Sequence, residues 1–276
     1  MKKISIVLSV LVLSCGLMFA SSPLEKSMKD FSANLEKSVI SASVNQNVYA
    51  DAYIGKFFPS FPPHFGVGVN ASAAQLDLTE IKTAAELLDI NALNAMKNDA
   101  YLPLVTLDAR IGGIFLPFDL GVSVMKLDFK KFFPADYQTV GADIRIPLIK
   151  QNLLLPNVSI GAAYYKTKAN FAPTDALWVS LDTDIISISA QVSKTILIVT
   201  PFIGGRFVTN KSTFSYEAKN TFLNEKASFT KKFMDDYSLQ AYAGASIKLL
   251  IPVTVAASYD FTTKLFAGTC SLRFQL

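Results

Sequence analysis

From His64 onward, apolar residues alternate with polar or small residues over many short segments of the chain. In one segment Val105, Leu107 and Ala109 are separated by single polar residues. A repeat of two places successive side chains on opposite faces of a β-strand. The alternation therefore predicts about ten antiparallel strands. Their predicted ranges are 64–77, 101–115, 118–129, 136–149, 156–169, 177–194, 197–216, 235–250, 252–262 and 265–276.

The predicted connections alternate between short and long. Tight turns fall near 116–117, 151–155, 194–196 and 250–251, and longer or more polar loops fall at 78–100, 130–136, 170–176 and 217–235. Short turns at one end and long loops at the other are typical of transmembrane antiparallel up-and-down β-barrels. An even number of strands places both ends of the strand set on the same side, which is the periplasmic side in such a barrel.

One segment departs from simple alternation. Between 177 and 194 the apolar positions begin with Leu177, Val179 and Leu181 and then shift by one to Ile186 and Ile188. A slip of one residue turns every later side chain over to the other face. The shift therefore predicts a β-bulge in this strand.

Residues 23–43 carry a different repeat, in which Leu24, Met28, Phe31, Leu35 and Val39 recur at intervals of three or four. This spacing predicts an amphipathic helix with one apolar stripe. In the segment after this helix, the prolines between 59 and 63 exclude a regular central strand. About forty residues exceed what a ten-stranded lumen is expected to hold, since eight strands are already filled by side chains. We therefore expect 21–63 to lie at the periplasmic mouth, whereas a strand at 46–58 would raise the count toward twelve.

A second helix is predicted at 79–98, within the first long loop. Its apolar residues Ile81, Ala84, Leu88 and Ala92 fall on one side. Such a helix could cover the outer mouth of a barrel, where an apolar face would suit a hydrophobic ligand. The alternative is an external loop that only packs on its neighbours.

The first twenty residues have the form of an export signal. A basic start at Lys2 and Lys3 precedes an apolar stretch from Ile4 to Leu13, which is too short to span a membrane. Cleavage after Ala20 would make 1–20 a signal peptide. A loose lipoprotein box ending at Cys15 is the alternative, in which Cys15 would carry the lipid.

Composition favours lipid over water around the strands. Hydrophobic residues make up 51% of the chain and charged residues 17%, with a mean hydropathy of +0.34. A soluble domain usually carries about 25% charged residues. After residue 20, no apolar run approaches the ~20 residues that a membrane-spanning helix needs. Two classes remain, a transmembrane barrel and a soluble β-cup with an apolar cavity. The net charge of +4 is too small to indicate binding to nucleic acid.

The last six residues, Ser271-Leu272-Arg273-Phe274-Gln275-Leu276, alternate between polar and apolar. This end resembles the final strand that outer-membrane proteins present to their insertion machinery, although it finishes in Leu rather than an aromatic residue. With the leader and the spaced strands, the chain from 64 to 276 resembles small bacterial outer-membrane barrels of the spirochaete, OmpW and FadL types. The resemblance implies the bacterial outer membrane as location, with outer-membrane lipid and the barrel assembly machinery as partners. No motif carries over a ligand site.

Residues for catalysis or metal binding are scarce. The chain has one histidine, His64, and one cysteine outside the leader, Cys270. A catalytic triad needs a histidine beside its nucleophile and orienting group, and a zinc site needs several nitrogen, sulfur or oxygen ligands. We therefore expect no enzyme, no metal site and no other cofactor.

Charged residues recur on the polar side of the predicted strands. Asp108 and Arg110 form a pattern that Asp143 and Arg145 repeat. A charge facing lipid at the midplane costs about 2–4 kcal/mol, so these residues are expected to face inward. The predicted lumen-lining residues are Asp108, Arg110, Asp143, Arg145, Asp182, Arg206, Lys248, Asp260 and Arg273.

Two interpretations of this inward charge remain open. The residues could line an aqueous path, which predicts a passive channel or a conduit for a small or hydrophobic solute. They could instead pair across a narrow lumen and fill it. A filled lumen predicts a non-transporting barrel with a structural or adhesive role.

Overall fold

The computed structural model describes residues 22–48, 64–90, 97–112, 118–128, 135–174, 176–219 and 224–275. The predicted leader with Cys15, most of the 46–58 segment, the prolines at 59–63 and residues 91–96 of the predicted loop helix lie outside these ranges. The elements in chain order are α1 (Pro23–Val44), a 3₁₀ turn (Asn45–Asn47), β1 (His64–Asp77), α2 (Thr79–Leu87), β2 (Asp99–Gly112), β3 (Asp119–Asp128), β4 (Ala135–Ile149), β5 (Asn157–Thr174), β6 (Leu177–Ser193), β7 (Val199–Lys219), β8 (Asn224–Lys231), β9 (Tyr237–Ile247), β10 (Val253–Asp260) and β11 (Phe266–Gln275).

Ten of these strands form one closed antiparallel sheet. From β1 to β7 each strand pairs with the next, and β11 returns to pair with β1. The ring is completed where β7 pairs with β9, β9 with β10, and β10 with β11. A sheet that closes on itself has no free edge. The all-β barrel of ten strands predicted from the alternation is confirmed.

An eleventh strand, β8, extends the wall at the end that carries α2, which we call the upper end. The lower half of β7 pairs with β9, and its upper half, from Ser212 to Lys219, pairs with β8. β8 and β9 therefore follow one another along the same edge of β7. The sequence pattern predicted a loop over 217–235, because β8 carries little apolar alternation.

The outward-facing side chains of all ten barrel strands form an apolar belt. One exposed member from each strand is Val67, Leu107, Val122, Ile144, Ile160, Ile188, Ile203, Leu239, Val255 and Leu272. The inward-facing positions between them are buried and, in the lower half of the barrel, mostly polar. An apolar exterior around a polar interior is the reverse of a soluble β-cup and suits a lipid surrounding.

No bulge interrupts β6, contrary to the sequence prediction. This strand pairs with β7 without a break from Leu177 to Ser193. Leu177 and Val179 are buried inside the upper barrel, whereas Ile188 faces outward on the belt. The apolar residues change parity because the interior changes: it is apolar in the upper barrel and polar in the lower barrel.

Helix α1 lies inside the barrel and not at its periplasmic mouth, so the sequence expectation is wrong for the helix, while residues 49–63 lie outside the described ranges. The helix contacts β1, β2, β5, β6, β7 and β11. The expectation extended the filled lumen of an eight-stranded barrel to ten strands, but ten strands enclose more space. Helix α1 and the 3₁₀ turn that follows it lie in that space and contact the surrounding strands. Within the described ranges, no helix is long and apolar enough to cross a membrane.

The upper barrel has a hydrophobic core like that of a soluble domain. The apolar stripe of α1, including Met28, Phe31 and Leu35, packs against buried residues of the surrounding strands. The rings of Phe31 and Phe171 lie 6.2 Å apart between their centroids. Helix α2 packs on α1 through residues such as Ile81, and it confirms a helix in the first long loop, although the helix ends at Leu87.

Candidate functional site: a lumen occupied by the N-terminal helix

The start of α1 is fixed by local capping and by a contact with β8. Ser22 caps the helix, since its hydroxyl accepts a hydrogen bond of 3.0 Å from the backbone N–H of Glu25. Pro23 occupies the first turn, where its missing N–H costs nothing. The Ser22 hydroxyl also donates to the Glu225 carboxylate at 3.2 Å. The helix therefore begins at a defined height beside the upper wall.

Small side chains let the lower half of α1 approach the strands closely. Ser38, Ser41, Ala42 and Ser43 are all buried against the wall. The Ser38 hydroxyl donates to the backbone oxygen of Gln75 at 2.5 Å. The Ser43 and Thr167 hydroxyls lie 3.2 Å apart. Because the hydroxyls of Ser38 and Ser43 bond to the backbone or to another hydroxyl, burying these two side chains costs little.

The C-terminal end of α1 meets a buried arginine. The Arg206 guanidinium donates to the backbone oxygen of Val44 and to the side-chain oxygen of Asn45. It also lies over the ring of Tyr242, 4.9 Å from the ring centroid. The last carbonyls of a helix lack partners within the helix and carry partial negative charge. Arg206 satisfies one of those carbonyls and places its own charge where the helix dipole favours it.

Below α1, charged side chains form an ion-pair network. Arg273 donates to Asp108 at 3.0 Å, and Asn70 donates to the other oxygen of the same carboxylate at 2.9 Å. Arg110 donates to Asp143 at 2.5 Å, and its Nε lies 3.8 Å from Asp108. The structure thus brings together four of the predicted lumen residues from β2, β4 and β11.

Glycines in the neighbouring strands leave room for this network. A Cβ on Gly121 would meet the Asp143 carboxylate and would lie 2.9 Å from the Arg110 guanidinium carbon. A Cβ on Gly68 would lie 2.5 Å from the Asp108 carboxylate. The missing side chains allow the charged groups to cross the face of the sheet.

Of the other predicted lumen residues in this part of the barrel, two are buried and one is exposed. Arg145 is buried opposite Asp119 in the β3–β4 pairing, and Asp260 is buried and accepts hydrogen bonds from Ser238 and Gln240. Asp119 belongs to the same interior but was missed, because it lies at the first position of β3. Lys248 falls outside this set, since it is exposed just beyond the end of β9.

Asp182 lies on the outer side of β6, so its predicted inward position is wrong. Its carboxylate is 3.2 Å from the ammonium of Lys168 on β5, and both side chains are substantially exposed. The error follows from the bulge assumed in β6. Without a bulge, odd-numbered residues of this strand face inward along its whole length.

A groove of about 350 Å³ opens beside α1 at the upper end, between the helix and strands β7, β9 and β10. Glu36 of the helix pairs with Lys231 at 2.8 Å, and Lys231 pairs in turn with Asp236 at 2.7 Å. The Asn210 amide donates to the other oxygen of Glu36 at 2.5 Å. Burial alone would lower the pKa of Lys231, but its hydrogen bonds to Asp236 and Glu36 outweigh burial and raise it. The Lys231 ammonium therefore stays charged between two carboxylates.

The Glu36 pairing was not foreseen, because the helix was expected to lie outside the strands. Its charge falls beside the apolar stripe, which is the only sequence signal for the contact. Among the described residues, no group of three or more His, Cys, Asp or Glu side chains could hold a metal ion. The described interior holds paired charges and hydroxyls around a helix.

No protein-family model and no curated protein matches the sequence. The chain is similar in structure to the outer-membrane protease OmpT from Escherichia coli, with 10% identity and a TM-score of 0.45 over 82% of this chain and 100% of that chain. It is similar to the translocator domain of the autotransporter NalP from Neisseria meningitidis, with 8% identity and a TM-score of 0.45 over 90% of this chain and 96% of that chain. It is also similar to Ail, the attachment invasion locus protein of Yersinia pestis, with 11% identity and a TM-score of 0.29 over 78% of this chain and 100% of that chain. Independently of these likenesses, the chain's own strand pairing, closure and apolar belt are those of an outer-membrane-type β-barrel.

Proposed function

We propose that this chain is a bacterial outer-membrane barrel that is closed by its own N-terminal helix and serves as a non-conducting surface anchor. The apolar belt supports a position in lipid, and the unequal connections support an orientation. The lower end, with the short turns, faces the periplasm, and the upper end faces the cell exterior. Outer-membrane lipid and the barrel assembly machinery are its expected partners.

The occupied lumen is the observation that carries this proposal. α1 fills the upper barrel with apolar packing and the middle with hydroxyl contacts. Beneath it, the pairs Asp108–Arg273 and Arg110–Asp143 join side chains across strands. A passive channel would need this space for water, so the inward charges support filling of the lumen rather than an ion path.

The wall above the belt supports a role at the cell surface. On β5 and β6 the outward residues change from apolar to charged, and Lys166 lies 3.6 Å from Asp184. On β7 and β8 the ammonium of Lys226 lies 3.0 Å from the carboxylate of Glu217. Exposed charges of this kind belong in water, so this wall stands outside the membrane and could display a surface for adhesion.

Conductance of the purified barrel in planar lipid bilayers tests the proposal. We expect no steady conductance from the full chain. In a Cys270→Ala background, Ala42→Cys should resist a water-soluble maleimide, because Ala42 is fully buried between α1 and the wall. Met234→Cys, at an exposed position of the upper end, is the matched control and should react at once. Stable ohmic steps from the full chain, or rapid labelling of Ala42→Cys in the folded barrel, would refute a closed lumen.

A second candidate function is suggested by the groove beside Glu36. Its volume lies within the range of about 300–1,000 Å³ that small-molecule pockets occupy. Ile40, Val208 and Tyr237 give it an apolar side opposite the charged pairs. A small amphipathic solute bound there should raise the temperature at which the barrel unfolds. Thr262→Trp, which places a bulky ring at the rim of the groove, should abolish that rise if the site is real.

A further inference from the structure

The three short turns described at the lower end are unusually apolar. Their tips carry the triplets Leu153–Leu155, Ile196–Ile198 and Leu249–Ile251. Leu153 is 94% exposed, Leu197 92% and Leu250 89%. Apolar side chains so fully exposed on three neighbouring turns form one continuous patch, which a soluble surface rarely shows.

Hydrogen bonds between the turns hold this patch in shape. The Lys194 ammonium donates to the backbone oxygens of Asn152 and Leu153 at 3.2 and 3.0 Å. The Gln151 amide and the backbone of Thr195 bond in both directions, at 3.2 and 2.6 Å. The backbone N–H of Lys248 donates to the oxygen of Ile198 at 2.7 Å. The polar groups of the turns are thus used among themselves, and the apolar side chains are left pointing away.

The height of the apolar belt can be compared with the height that a membrane requires. Its upper boundary on β5 is Tyr164, above which Lys166 and Lys168 face outward, and on β6 it is Ile186, above which Asp184 faces outward. An outer-membrane barrel needs an apolar band about 25 Å tall. A strand rising about 3.4 Å per residue at a tilt of about 40° gains about 2.6 Å of height per residue, so about ten residues are needed.

On β5 and β6 the strands alone are too short to supply this height. β5 begins at Asn157, which gives only about 18 Å of apolar wall below Tyr164. Counting about ten residues from Tyr164 reaches Leu154, and the same count from Ile186 reaches Ile196. Both counts end inside the apolar triplets. At β5 and β6 the turns therefore make up the missing height of the belt.

We infer that the three turns are submerged in the periplasmic leaflet of the bilayer and that acyl chains of phospholipid cover their apolar tips. The inference rests on the proposed membrane location, and it adds the depth at which the barrel sits. The patch is continuous with the apolar belt, and lipid is the surrounding that the belt already requires. Lys150 and Lys248 are exposed beside the triplets, where their ammonium groups can reach lipid phosphates while their stems stay in apolar surroundings.

Tryptophan fluorescence in lipid vesicles tests the depth of the turns. In a Trp178→Phe background, single probes are placed in the turns (Leu154→Trp and Leu250→Trp), on the belt (Ile188→Trp) and at the exposed upper end (Met234→Trp). Each protein is reconstituted in phosphatidylcholine vesicles with and without bromine on the acyl chains. We expect the turn probes to lose the same fraction of emission as the belt probe. The upper probe should keep its emission and be quenched by iodide instead.

Three results would overturn the inference, and they differ in what else they refute. If the belt probe is quenched by brominated lipid but the turn probes are quenched only by iodide, the turns lie in water and the depth is wrong. The depth is also wrong if the turn probes respond to neither quencher, because protein rather than lipid would then cover them. If the belt probe itself escapes brominated lipid, the proposed membrane location fails and the depth fails with it.

Discussion

Removing one carboxylate from the lumen should cost much more stability than removing one from the outer wall. Asp108 is buried, accepts hydrogen bonds from Arg273 and Asn70, and lies 3.8 Å from Arg110. The change Asp108→Ala removes the carboxylate from beside two buried guanidinium groups, those of Arg273 and Arg110. Breaking a buried ion pair by deleting one partner typically costs about 3–5 kcal/mol. A loss in that range is expected here.

The matched control is Asp182→Ala, the same change on the outside of the barrel. Asp182 also pairs with cations, Lys168 and Lys166, but its side chain is 38% exposed. Exposed ion pairs contribute about 0–1 kcal/mol, because water solvates both charges and long side chains lose entropy on pairing. The two aspartates therefore separate burial of a charge from the mere presence of an ion pair.

Urea unfolding of the barrels in detergent micelles measures both changes. Folded and unfolded barrels are separated on an unboiled gel, and the folded fraction at each urea concentration gives the free energy of unfolding. We expect the midpoint to fall strongly for Asp108→Ala and hardly at all for Asp182→Ala. Equal shifts for the two variants would show that water reaches the lumen network freely, and the closed lumen would then be wrong.

Three further predictions follow from the same contacts. Gly121→Ala should lower the free energy of unfolding by about 1–3 kcal/mol, because its Cβ would collide with the network; the control Gly205→Ala, whose Cβ would meet only ordinary contacts, should change little in the same urea titration. In a Cys270→Ala background, Ser43→Cys and Thr167→Cys should form a disulfide on oxidation, visible as a shift on a non-reducing gel, since their hydroxyls lie 3.2 Å apart; a helix outside the barrel would leave both thiols free. The unmodified barrel should also migrate differently on gels before and after boiling, and identical migration would contradict a closed sheet.

The barrel strands could be predicted from sequence because each separates lipid from the interior. That boundary imposes a repeat of two on segments such as β2 and β10, whatever the rest of the chain does. β8 stands above the belt with polar surroundings on its outer side, so it carries no such repeat and was missed. A periodic pattern records the environment of each face rather than the presence of a strand.

The interior was harder to predict, because its polarity depends on what fills it. Leu177 and Val179 face inward only because α1 supplies an apolar partner. From the sequence pattern alone, this change of parity in β6 predicted a bulge. The inward parity of Asp108 and Arg110 could be deduced from their own strand. The repeated Asp-x-Arg pattern also indicated Asp143 as a partner of Arg110, since only β3 separates β4 from β2. Arg273 on β11 could not be foreseen as a partner of Asp108, because β11 comes near β2 only when it pairs with β1 and closes the ring.

The position of α1 also constrains how the barrel is made. Ser22 bonds to Glu225 and Asn45 bonds to Ser258, contacts that join residues 203 and 213 positions apart in the chain. Contacts between such distant residues form slowly, because a long loop must be ordered before they gain anything. The helix is synthesised first, yet its enclosure is complete only when β11 pairs with β1. Closing the ring therefore encloses the helix. A helix that had not entered the barrel before β11 paired with β1 would be left outside it.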